Sequence, residues 1–355
     1  MRLLLVVLML LCASPAMAQA VAPLQVLDAA VNQVIRPGVA AFKNRASALE
    51  SAMGGLCALP SAQALAIARQ QFGLAAAAYG RIEFVRIGPL MEDNRADRLL
   101  FWPDRRGIGL RQVQAILADK DEGASDVATL RDKSAAVQGF GALEFVLFGT
   151  DAEVLLGTGG DFRCRYGQAI AANISSIADQ VAMGWYRYDG VAAHLTRPVP
   201  ENTDFRTETE ALEALVGLVA HGIEGLRDTR INPFLARGEA AAEPKQAMFW
   251  RSGLTMAMIG ASIGGMETLV AQSGLAQAAG PDHAGLSDSI AFEFRNARRA
   301  IEAVTLPVEQ AVADEKQALA LNYLVIVTQS LQGLIGEQLS AALGLSVGFS
   351  SLDGD

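Results

Sequence analysis

"SAQALAIARQQFGLAAAAYGRIEFVRIGPL", residues 61–90, decides how the rest of the chain is read. Alanine and leucine recur at helical spacing through it, with none of the alternation that marks a strand. Ser61 is placed to cap the helix, and Gly88-Pro89 to end or kink it. The same texture continues outward. "GLRQVQAILADK", "RDKSAAVQGFGALEFVLFG" and "RYGQAIAANISSIADQVAMGWYRY" read as further helices, separated by loops bearing glycine, aspartate or proline. "RTETEALEALVGLVAHGIEGLRDTRI", "RRAIEAVTLPVEQAV" kinked at Pro307, and "KQALALNYLVIVTQSLQGLIGEQLSAAL" ending near Gly344 follow. The expectation is an all-α protein.

Between these two sets lies "DGVAAHLTRPVPENTDF", where Pro198 and Pro200 break any helix. Residues 191–202 therefore read as a link between two helical bundles, 20–190 and 203–355. "SALESAMGGL" and "EALEALVGLV" hint at an internal duplication, although leucine/alanine patterns also echo by chance. Gly260, Gly264 and Gly265 sit inside an apolar helix, where glycine costs about 1 kcal/mol relative to alanine. Close approach of a neighbouring helix is the expected reason.

The N-terminus, "MRLLLVVLMLLCASPAMAQA", has a basic residue, nine apolar residues from Leu3 to Leu11, and a small-residue Ala16-Met17-Ala18 site. The apolar run is too short for a span, which needs about 20 residues. It reads as a secretory signal over residues 1–18 and implies an exported protein. A lipoprotein reading through Cys12 is disfavoured because Leu11 precedes it where a small residue belongs. With the signal removed, Cys57 and Cys164 remain, and an oxidising compartment favours their bridging; two buried thiols are the alternative. The 355 residues are 51% hydrophobic and 19% charged, with net charge −9. That supports packed cores and argues against a nucleic-acid surface. The most span-like later segment, 256–275, contains Glu267, so no transmembrane helix is expected in the mature chain.

Several catalytic patterns are discounted. "GASIG", 260–264, matches G-x-S-x-G but lies in helix rather than at a strand-to-helix turn, which disqualifies Ser262 as a nucleophile. "GTGGD", 157–161, reads as a turn. The chain has three histidines and no H-E-x-x-H. "HGIE" places His221 and Glu224 three apart on one helix, either a pair of metal ligands or an exposed face with a chance pair.

Two stretches are unusual. "GFGALEFVLFG", 139–149, encloses one carboxylate, Glu144, on a helical face with Phe140, Gly141, Leu147 and Phe148. A lone buried carboxylate is costly unless partnered. The other is "YGRIEFVRIGPLMEDNRADRLLFWPDRRGIGLRQVQ", rich in arginine and free of lysine. Arginine suits the planar grip of a carboxylate or stacking on a ring. Glu83 and Arg86 are helical neighbours by spacing, and Trp102, Asp104, Arg105 and Arg106 follow. Glu144 is therefore expected to face one of these arginines, with Gln138 and Gln112 beside it; a purely structural ion-pair network would look the same.

"RIEFVRIGPL", "FWPDRRGIGLRQVQAIL", "AVQGFGALEFVLFG" and the terminal "LGLSVGFSSLDGD" resemble the imelysin-like family, the peptidase M75 group, in order along nearly the whole chain. The resemblance implies an exported bacterial protein of two helical bundles with its site between helices near their interface. It also implies a role connected with iron, and a peptidase label. The family's G-x-H-x-x-E signature falls on Gly139 to Glu144, with Gly141 in place of the histidine. That substitution removes an imidazole ligand and makes a catalytic zinc, which needs about three protein ligands, hard to build. Glu144 could still join Glu83, Asp104 or Glu92 as oxygen donors to iron.

"FWRSG" also resembles a family segment and brings Arg251 and Ser252 into the candidate set with Glu83, Arg86, Trp102, Asp104, Arg105, Gln138 and Glu144; Arg295 is a weaker candidate. For each of these, a structural contact between helices is the alternative to ligand contact. The leading function is a non-enzymatic periplasmic protein of iron acquisition, binding iron, an iron complex or an uptake partner. The alternatives are an M75-type metallopeptidase and an adaptor for an outer-membrane protein.

Overall fold

The computed structural model describes residues 20–346 apart from 105, 237 and 239, together with the backbone but not the side chain of Thr158. The secretory signal, Arg105 and the last nine residues of the terminal motif lie outside the described residues. Helices α1 (Pro23–Ala29), α2 (Arg36–Ala58), α3 (Ala62–Gly80), α4 (Arg95–Leu99), α5 (Ile108–Asp119), α6 (Val127–Leu130), α7 (Phe140–Phe148), α8 (Asp161–Trp185) and α9 (Val191–Thr196) make up the first part. The second holds α10 (Glu208–Leu226), α11 (Thr255–Ser273), α12 (Ala284–Glu302), α13 (Val308–Ala311), α14 (Glu315–Gln332) and α15 (Ser340–Ala342). Among the described residues there is no β-strand, and the all-α expectation holds.

The first bundle is built on α2, α3 and α8, with α7 packed on α8 and α3; the second on α10, α11, α12 and α14. Helix α3 packs on α11, and residues 23–35 lie against α10 and α11, so the two bundles share one continuous apolar core. A Cβ at Gly265 would collide with the carbonyl oxygen of Arg81. That contact, between α11 and the backbone just after α3, accounts for one of the helical glycines. Cys57 and Cys164 form a disulfide with Cα atoms 5.5 Å apart, joining the end of α2 to α8. Closing a segment of 107 residues stabilises the fold by on the order of 4 kcal/mol in the chain-entropy picture.

Four local expectations are corrected. Ser61 does cap α3, its Oγ accepting from the amide of Ala64 at 3.1 Å. The helix nevertheless ends at Gly80 rather than at Gly88-Pro89, because the next residues must turn across α11. The helix read through residues 131–149 is only α7, since Gly139 adopts extended φ/ψ as its N-cap, and a Cβ there would strike the Leu99 carbonyl. Pro307 does not kink a single helix; it separates α12 from α13. Residues 191–202 carry α9 ahead of Pro198.

The continuous helical run Glu315–Ala342 is long and apolar enough by composition to cross a membrane, which the sequence reading passed over. Its inner face, including Leu321, Leu324, Leu331 and Ile335, is buried against the protein. Its outer face leaves Leu319, Tyr323 and Ile326 exposed, so the run lies along the bundle with one face covered.

Candidate functional site

Helix α7 is held at its C-terminal end by two arginines. Arg163, 7% exposed, donates to the carbonyls of Phe145, Val146 and Thr150, and Arg69 donates to that of Leu147 at 2.9 Å. These bonds satisfy carbonyls that a helix end leaves without partners. Glu144 lies on this helix and is 5% exposed; Phe140 and Phe148 of the same helix pack on Phe72, which also meets Phe249.

Among the described residues the partner of Glu144 is not in the arginine-rich segment, and neither Gln138 nor Gln112 hydrogen-bonds to it. Its Oε1 accepts from the Ser252 amide at 3.0 Å and from the Ser252 hydroxyl at 2.8 Å. Burial holds its pKa above the ordinary carboxylate value, and the two Ser252 bonds, with Arg251 nearby, oppose that rise. Arg251 itself lies over the Trp250 ring at 4.5 Å and the Phe145 ring at 5.5 Å. Gly141, the family's histidine position, is exposed, and a Cβ there would meet nothing within 4 Å.

The arginine-rich segment is spent on structure over most of its length. Asp104 accepts from the amides of Ile108, Gly109 and Leu110 and so caps α5. Glu92 pairs with Arg95 at 2.9 Å. Gln138, 1% exposed, accepts from Arg98 and donates to the carbonyls of Lys133 and Arg131. Arg295 lies over the Phe292 ring, away from all of these groups. The expected grouping of Glu144, Glu83, Asp104 and Glu92 as oxygen donors is therefore not formed. Among the described residues no group of three or more His, Cys, Asp or Glu is placed to hold a metal.

Glu83, Arg86 and Trp102 converge elsewhere, on a cavity of about 720 Å³ between the segment after α3 and the helices of the second bundle. Glu83 does not pair with Arg86 as a helical neighbour. Its Oε1 accepts from Arg230 at 2.6 Å and from the Ser262 hydroxyl at 2.5 Å, while its buried Oε2 has no partner among the described residues. Trp102 donates its indole N–H to the Thr229 carbonyl at 2.9 Å, tying the first part of the chain to the second. Burial first, and the Glu83 charge second, push the Tyr79 hydroxyl pKa well up.

Other walls are His221, Glu224, Met266 and the small residues Ala214, Gly217 and Gly225. Two π-helical stretches, Arg227–Ile231 and Gly333–Leu339, border the cavity through Thr229, Arg230 and Gly336. Such stretches recur at functional sites. Sequence reading missed Arg230 and Thr229 and noticed Ser262 only to dismiss it as a nucleophile. The "RDTRI" run closing an apolar helix was the one available signal.

The family model for imelysin, the peptidase M75 group, matches residues 35–335. The chain belongs to the imelysin family. Among solved structures it is similar to an imelysin-like protein from Psychrobacter arcticum 273-4, with TM-score 0.75 and 19% identity, covering 93% of this chain and 99% of that one. A second, from Parabacteroides distasonis ATCC 8503, goes under the name iron-regulated protein A precursor. It gives TM-score 0.73 at 14% identity, covering 90% of this chain and 95% of that one. These likenesses bear out the all-helical fold. No curated protein matches the chain.

Proposed function

We propose that this imelysin is an exported, periplasmic component of iron acquisition that binds a small iron complex in the cavity between its bundles, and that it is not a peptidase. The observation that carries the reading is the cavity itself. It has about 720 Å³ of room, mixed apolar and charged walls, and a rigid Glu83–Arg230–Ser262 knot at one side. That volume lies within the range of small-molecule sites and far exceeds the need of a bare ion. Family membership and the name of the Parabacteroides relative supply the connection with iron. Periplasmic residence rests on the secretory pattern of residues 1–18.

Against peptidase chemistry stand Gly141 in the histidine position and a Glu144 whose Oε1 is engaged by both donors of Ser252. Calorimetry of the full chain with ferric citrate as the probe tests the reading. Gly225→Leu puts a branched apolar side chain on the cavity wall at a position where an added Cβ meets nothing within 4 Å, and its melting curve serves as the check on folding. Binding by the wild type and by Glu144→Gln, lost in Gly225→Leu, is the expected result. Equal binding by wild type and Gly225→Leu would remove the cavity from the account.

A further inference from the structure

The family's H-x-x-E pair is broken on α7, where Gly141 replaces its histidine, but a pair with the same spacing stands on α10 as His221 and Glu224. Both side chains line the cavity, both are half-buried, and neither is engaged in a hydrogen bond or ion pair with another described residue. Residues three apart on a helix share a face, so an imidazole and a carboxylate point into the same volume. The imidazole lies back over Gly217, where a Cβ would sit 3.8 Å from Cε1 and 3.9 Å from Nδ1. Beside Glu224, Gly225 leaves open space. Thus the α10 wall is recessed where the pair stands. Arg86 and Arg230 are on the same cavity.

From this arrangement we infer that His221 and Glu224 are direct ligands to a metal ion that arrives already held by a small anionic chelator, with the arginines facing the chelator's carboxylates. The inference rests on the cavity reading above and deepens it. An imidazole with a carboxylate suits iron, and guanidinium forks suit carboxylates. Two protein ligands are too few to strip and hold a bare ion, but they are enough to complete the coordination of one whose other positions the chelator fills. Among the described residues no third ligand of the His, Cys, Asp or Glu type joins them. This is what a carrier of chelates, rather than of ions, requires.

The test uses the full chain with two probes, ferric citrate and iron-free citrate, read by calorimetry and by quenching of Trp102 on the cavity wall, with His221→Ala and Glu224→Gln as variants. The wild type is expected to bind ferric citrate at least about tenfold more tightly than citrate alone, a margin of the size that shell contacts make to metal affinity. Each variant is expected to bring ferric citrate down to the citrate level with an unchanged melting curve. If ferric citrate binds in the cavity but the variants bind it as the wild type does, the metal pair is overturned and the cavity reading survives. If iron-free citrate binds as tightly as the ferric form, the pair is overturned in the same way. If neither probe binds the wild type, both proposals fall.

Discussion

Glu144 and Glu83 are both more than nine-tenths buried, and their surroundings handle that burial in opposite ways. Among the described residues no cation forms an ion pair with Glu144; one serine supplies a backbone and a side-chain donor to the same oxygen. Glu83 is in a true ion pair with Arg230, both side chains being 12% exposed or less, and adds the Ser262 hydroxyl. The first arrangement is a buried carboxylate met by neutral donors. The second is a charged knot placed at the edge of a cavity. The family motif marks the first, whereas the room for a ligand lies beside the second. The signature glutamate is not among the residues that line the cavity.

The same isosteric change at the two positions should separate them most clearly. Glu83→Gln leaves the Arg230 guanidinium buried and uncompensated, and losing one partner of such a pair costs about 3–5 kcal/mol. Urea denaturation is expected to show a loss of that size; a loss below about 1 kcal/mol would mean that the knot is not the rigid wall described. Trp102→Phe comes next. It removes the indole bond to Thr229 that joins the two parts of the chain, with an expected cost of about 0.5–1.5 kcal/mol. Unchanged stability would show that the loop is held by packing alone.

Glu144→Gln should behave differently, and its pH dependence carries the information. Burial raises the folded-state pKa of Glu144 above its ordinary value of 4.5. The native state therefore binds more protons than the unfolded state in the interval above 4.5, and wild-type stability falls as pH rises through it. The amide does not titrate and still presents an oxygen to Ser252. At pH 4 the variant is expected within about 1 kcal/mol of wild type. At pH 8 it should have gained relative to wild type. A difference between the two proteins that stays flat across that range would show that Glu144 is fully solvated or fully compensated in the fold.

Much of this was readable before any coordinates. Helical periodicity carried the all-α fold, Ser61 its cap, and Cys57 with Cys164 their bridge, because each depends on local pattern or on compartment. The enclosed position of Glu144 was legible from its apolar neighbours. Its partner was not: Ser252 is 108 residues away and reaches it through a turn at residues 249–253 where Phe249 has φ of 58°. No spacing rule encodes such a meeting. The arginine-rich segment misled because its density suggested one destination, while Asp104, Glu92 and Gln138 had local structural work as caps and pairs. Arg230 was invisible for the converse reason, being an ordinary arginine until a π-helical turn aims it across the chain at Glu83. The cavity belongs to no single stretch of sequence.

The smallest expected effect is also the one that bears most directly on the family motif. Gly141→His restores the signature residue at an exposed helical position with open space for the side chain. Exchanging glycine for histidine within a helix alters stability by less than about 0.5 kcal/mol. The restored imidazole would stand three residues from Glu144, the spacing of a metal pair. Yet the Glu144 carboxylate is turned inward, with Oε1 occupied by the Ser252 amide and hydroxyl. With Oε1 held there, the restored pair would offer a metal one imidazole and the remaining carboxylate oxygen, short of the about three protein ligands that a tightly held ion needs. Calorimetry with Co²⁺ alone is therefore expected to show no binding by Gly141→His beyond that of the wild type. Tight Co²⁺ binding in the variant, abolished by adding Glu144→Gln, would reverse the contrast drawn between the two glutamates. Glu144 would then be a metal ligand lacking only its partner, and the proposed binding in the cavity between the bundles would lose its contrast with the motif.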